Sequence, residues 1–140
     1  MSFTGNYSCN TLRSGLASGS INFNTDTFYL ALYTNAATLS QTTTAYDSNG
    51  EASGGNYTPG GQIVTATVGT QLTPSGSIVF VNFSSPSWTG QITARGALIY
   101  KAGANGAICV LDFGNDKTSS STFTVQMPAN NSSSALIRIA

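Results

Sequence analysis

Thr27-Phe28-Tyr29-Leu30-Ala31-Leu32-Tyr33-Thr34 is the stretch that decides the fold. Its aromatic and aliphatic residues suit a pleated surface. Strand alternation puts Phe28, Leu30 and Leu32 on one face and Tyr29, Ala31 and Tyr33 on the other. Both faces are apolar, so the reading is a strand covered on two sides.

Working outward, similar stretches recur. Gln62–Val68, Ser77–Phe83, Ile92–Tyr100, Ala107–Phe113, Ser121–Met127 and Ala135–Ile139 all read as strands. Thr58-Pro59-Gly60-Gly61 reads as a turn, with Pro fixing one corner and Gly allowing positive φ at the next. Gly103-Ala104-Asn105-Gly106 reads as a hairpin turn. Gly96, inside a strand, marks a bulge or a close backbone approach. Residues 35–61 are rich in Thr, Ser, Asn and Gly. That is long for a simple loop and points to a segment with structure or function of its own. Upstream, Leu12 and Leu16 lie four apart, which allows a short helix over 9–17 ended by Gly19. The expected organisation is an N-terminal arm over 1–24 followed by one β domain over 25–140. About seven strands with turns between them predict an all-β, antiparallel β-sandwich or jelly-roll-like fold. Helices do not alternate with strands, which argues against a parallel α/β sheet.

Composition narrows function. Only 7% of the 140 residues are charged, against roughly 25% in an average domain. Hydrophobic residues make up 40%, so the chain folds rather than staying disordered. Formal net charge is zero, which removes electrostatic steering. Five basic residues spread along the chain do not make a phosphate-binding face, so no nucleic-acid partner is expected. No apolar run approaches the roughly 20 residues that span a bilayer, and no membrane partner is expected. Met1–Asn6 lacks the basic start and apolar core of a signal peptide, which predicts folding in the compartment of synthesis. There, Cys9 and Cys109 are expected as buried thiols.

Chemistry is sparse. The chain has no histidine, the commonest general base and metal ligand. Asp112 and Asp116 are the nearest candidates for paired acid chemistry, but 113–117 reads as a turn in which Asp and Asn bond local backbone. Asp47–Glu51 is too short for a full calcium loop. No catalytic residue, cofactor or metal site is expected, and the chain is read as a non-enzyme. Arg95 lies mid-strand among apolar residues and must find a partner. That partner is a carboxylate of the fold, Asp112 or Glu51, or a neighbouring subunit. Trp88 reads as a core anchor, with sugar stacking as the other use of its ring.

The order of these signals resembles a family of small virion proteins of tailed bacteriophages, especially marine and cyanobacterial phages. The resemblance runs over residues 9–140. It is carried by Thr27–Thr34, Ala37-Thr38-Leu39, Thr43–Tyr46, Gly50-Glu51, Tyr57–Gly61, Trp88, Val110–Gly114 and Ile137–Ile139. Its most specific part is Thr93-Ala94-Arg95-Gly96-Ala97-Leu98-Ile99-Tyr100. The resemblance implies a structural virion component with no family active site. The expected role is a capsid decoration or cement protein, as a homotrimer on the major capsid protein. A tail fibre, knob or tail-accessory subunit and a carbohydrate-binding adhesion module are the alternatives. Contacts are expected at Phe3, Tyr7 and Leu12 in the N-terminal arm, at Tyr46 and Tyr57 in the 35–61 segment, and at Arg95.

Overall fold

The computed structural model describes residues 6–139. Phe3 therefore lies outside the described residues. The elements are β1 (Tyr7–Ser8), α1 (Asn10–Ser18), β2 (Phe28–Tyr33), β3 (Gln62–Val64), β4 (Ala66–Thr73), β5 (Gly76–Phe83), β6 (Ser87–Thr89), β7 (Thr93–Lys101), β8 (Ala107–Thr118), β9 (Thr122–Thr124) and β10 (Ile137–Ile139). The main sheet has the order β1-β8-β7-β2-β3, the second sheet β10-β5-β4, and β6 pairs with β9. All pairings are antiparallel. The chain is an all-β sandwich with one short helix, as its sequence predicts.

The main sheet is covered on both faces. Phe28, Leu30 and Leu32 of β2 enter one core with Val81, Phe83, Ile99 and Ile137. Ala31 and Tyr33 enter a second core with Ala37, Leu39, Leu98 and Val110. Each large apolar side chain buried this way stabilises the fold by about 1.5–3 kcal/mol before entropy is counted. The second cover is the 35–61 segment. It supplies Ala37 and Leu39, and its Glu51 bridges to Tyr33 of β2. The turn at 58–61 forms as expected: Gly61 N donates to Thr58 O at 2.9 Å, and Gly60 has φ 94°.

β7 and β8 contain two irregularities. Ile99 faces Cys109 while Tyr100 faces Ala107, so Ile108 is an extra residue. This bulge sends both Ile108 and Cys109 into the first core. The other falls between Ala94 and Gly96, where Gly96 predicted it. There the chain departs from the expected turn at 113–117. Phe113–Asp116 bulge out opposite Arg95, and the ladder resumes at Ala94↔Lys117. Gly114 (φ 89°) supplies the bend, and its N–H donates to Asp112 Oδ1 at 2.8 Å.

One expected strand is two. The chain leaves the main sheet after Val64 and enters the second sheet at Ala66. Thr65 is held at the switch, accepting from Ser84 N at 2.9 Å and donating to Ser84 Oγ at 2.9 Å. α1 occupies 10–18 and ends at Gly19 in the left-handed conformation. From Asn6 onward the expected arm is stitched to the body: Tyr7 pairs with Val110, and Thr11 Oγ1 donates to Ala107 O at 2.6 Å. Cys9 and Cys109 are free and buried. Burial pushes the Cys9 thiol up to about 11 and the Cys109 thiol further.

Candidate interaction surfaces

The 35–61 segment is fastened by one carboxylate. Tyr46 donates to Glu51 Oε1 at 2.6 Å. Tyr57 and the Gly60 N–H donate to Oε2 at 2.5 and 2.7 Å. The Tyr57 hydroxyl in turn accepts from Leu32 N at 2.9 Å, tying the segment to β2. Tyr33 donates to Asp47 O and Tyr100 to Gly60 O, each at 2.7 Å. Burial, then the bond to Glu51, drives the Tyr46 and Tyr57 hydroxyls far above their ordinary value. Burial and the Glu51 charge push Tyr100 up to about 12. Charge-assisted bonds of this kind are about twice as strong as neutral ones. Tyr46 and Tyr57, expected as contact residues, are thus half-buried fasteners of the fold. Glu51, read from sequence as the end of a short calcium-like loop or a partner of Arg95, instead accepts from these two tyrosines and from Gly60. Tyr29, Tyr100 and Tyr46 stack in sequence, with centroids 5.5 and 4.9 Å apart, beside a cleft of about 440 Å³.

Arg95 meets the fold's own carboxylate. Its Nε donates to Asp112 Oδ1 at 3.2 Å, and the Nη2–Oδ1 distance is also 3.2 Å. The residue is 7% exposed, so it has little surface for a neighbouring subunit. Asp112 Oδ1 is thus held by Arg95 and by the Gly114 N–H. Leu12, also expected as a contact, is 3% exposed and packs in the first core, because α1 lies against β8. Trp88 is 2% exposed and packs on Tyr57, leaving no ring face for a sugar. Among the described residues no group of His, Cys, Asp and Glu could hold a metal ion. No described helix is long and apolar enough to cross a membrane.

Two further surfaces stand out among the described residues. A groove of about 870 Å³ runs between the first and last elements. Tyr7, Leu12, Leu16, Val110, Ile137 and Ile139 line it, with Arg13 and Arg138 among its walls. Arg13 bonds Asn10 Oδ1 and Ser8 Oγ, and Arg138 bonds Ser133 O. Among the described residues neither has a carboxylate partner. Tyr7 is the one expected contact residue that lies half-exposed here. The two arginines carried no joint signal in sequence, because they are 125 positions apart and only the fold, through α1 and β10, brings both to one groove.

The other surface is the β4–β5 hairpin. Ala66, Val68, Thr70 and Leu72 share a face with Phe83, Val81, Val79 and Ser77. Phe83 and Val81 are core, but the same face runs on uncovered: Val68 is 39% exposed and Leu72 77%. No charged residue lies between Glu51 and Arg95. No family model matches the chain, and neither the curated proteins nor the solved structures contain a significant match.

Proposed function

We propose that this chain is a structural component of a tailed-phage virion, a capsid decoration or cement protein that binds the major capsid protein lattice and stabilises it. The observation that carries this reading is the groove between α1, β1 and β10. It offers an apolar floor to an extended or helical segment of a partner and two arginines to that segment's carboxylates. A standard interface of about 1,600 Å² gives a large gross hydrophobic term, much of which binding costs offset. Repetition over a shell then adds avidity.

The phage-like motif at 93–100 supports the reading at the level of fold. Ala94–Tyr100 are all buried, so this motif specifies a core strand. On this reading contacts with a lattice come from elsewhere, and the groove is the surface assigned to them. The glycan-binding alternative loses Trp88 to the core and rests only on the tyrosine stack. The tail alternative shares every surface feature and differs in stoichiometry.

Quantitative mass spectrometry of purified particles tests the proposal. On the order of hundreds of copies per particle marks a shell protein, and about a dozen or fewer marks a tail protein. Absence from the particle refutes both. On the shell, Arg13→Glu with Arg138→Glu is expected to release the protein at lower salt than the parent, read by particle sedimentation.

A further inference from the structure

We propose that two copies of this chain join edge to edge through β4, antiparallel, about a two-fold axis at Thr70. This rests on the hairpin alone, so it stands or falls apart from the virion reading.

β4 is the outer strand of its sheet. Its ladder with β5 runs from Ala66↔Phe83 to Thr73↔Gly76 without a register shift. Thr65 O is held from the β5 side by Ser84 N. Strand alternation then turns the backbone groups of odd positions toward β5 and those of Val68, Thr70 and Leu72 toward the free edge. Proteins guard such edges with Lys, Pro, bulges or short strands. β4 has eight residues, no charge, no bulge and no proline, since Pro74 lies in the turn beyond it. The edge is open to pairing.

A second copy fits it because the strand is complementary to itself. Directly opposed residues in an antiparallel pair share a face, so a two-fold axis can pass through a residue. At Thr70 it opposes the two Thr70 residues and sets Val68 against Leu72 of the partner subunit, twice. Val68 and Leu72 are the exposed large hydrophobics of β4. An axis at Gly69 would instead set Val68 against Thr70 and leave Leu72 opposite only the small Ala66. The ladder ends where Ala66 would oppose Pro74, which has no N–H to donate. Charge selects the same occupant. Two uncharged strands bring no repulsion, whereas a charged strand would place its charges against a wall with no counter-charge. Such an assembly has two-fold symmetry and competes with the homotrimer expected from the resemblance.

Sedimentation equilibrium of the full chain over a concentration series tests this. The expected result is a monomer–dimer equilibrium. Thr70→Lys opposes two ammonium groups across the seam and weakens the dimer by about tenfold or more. Thr70 is exposed, so the circular dichroism spectrum stays that of the parent. Thr70→Cys is the second arm. Opposed hydrogen-bonded residues stand about 5.5 Å apart at Cα, within disulfide range. Mild oxidation should give a covalent dimer, while Thr67→Cys, whose counterpart is Thr73, should not. A monomer throughout the series, or a trimer, overturns the proposal. So does a dimer that Thr70→Lys leaves intact and Thr70→Cys does not cross-link.

Discussion

β7 and β4 are strands of similar length, nine and eight residues, and they meet opposite fates. Every β7 residue from Ala94 to Tyr100 is buried, including an arginine. No residue of β4 is buried, although it carries Val68 and Leu72. Strand propensity does not separate them. What differs is company: β7 lies between β2 and β8 with a core on each face, whereas β4 ends its sheet and runs past the cover. One strand is enclosed by the fold, and the other is not.

The comparison breaks most visibly at Arg95. Arg95→Ala strands the Asp112 carboxylate beside a bulge and removes a nearly buried ion pair. The expected cost is about 3–5 kcal/mol in urea unfolding. A loss under 1 kcal/mol, on the order of a surface pair, would mean that β7 is not the closed strand described.

Next come matched leucines. Leu30, on β2 beside β7, is fully buried, and Leu30→Ala should cost about 2–5 kcal/mol. Leu72→Ala, measured dilute enough to avoid association, should stay within about 0.5 kcal/mol. Equal costs would show that the hairpin is covered by its own chain.

Alkali sharpens the contrast. Burial raises the thiols of Cys9 and Cys109 and the hydroxyls of Tyr33, Tyr46, Tyr57 and Tyr100. Below pH 9 they are protonated in folded and unfolded chains alike, and their contribution is whole. Above it the unfolded chain loses protons that the folded chain keeps, so stability falls as pH rises. The window opens at 9.0 for Cys9 and 10.0 for Tyr100 and extends to about 11 and about 12. A thermal melting temperature that stays flat from pH 8 to about pH 11 would contradict the buried placement of these groups. β4 and β5 carry no titratable side chain and add nothing to the slope.

A small effect is also expected at Gly69. An added Cβ would come within 2.4 Å of the Phe80 ring, which lies across it on the hairpin. That ring is half-exposed and is met at its far end, so Gly69→Ala should cost about 1 kcal/mol or less by chemical unfolding. A larger loss would mark the hairpin as a packed element.

The main sheet was legible because its signals are local. Alternation alone assigned Phe28, Leu30 and Leu32 to one core and Ala31 and Tyr33 to the other, and the 58–61 turn and the Gly96 irregularity followed from residue type. The switch between β3 and β4 was not legible, since it depends on Ser84 reaching Thr65 from a distant strand. The length of β8 was hidden for a related reason. Gly114-Asn115-Asp116 has the composition of a turn, and only pairing with β7 carries the chain on to Thr118. Of the expected contact residues, Leu12 and Arg95 were drawn inward by α1 and by Asp112. Exposure is a property of the assembled layers, and single residues do not announce it.

Amide hydrogen exchange on the intact chain, at low and high protein concentration, tests most directly whether cover alone separates the two strands. The account predicts slow exchange along β7 at both concentrations. It predicts fast exchange at Val68, Thr70 and Leu72 in the dilute sample and marked slowing in the concentrated one. Amides of these three residues that are as protected as those of β7 in dilute solution would contradict it.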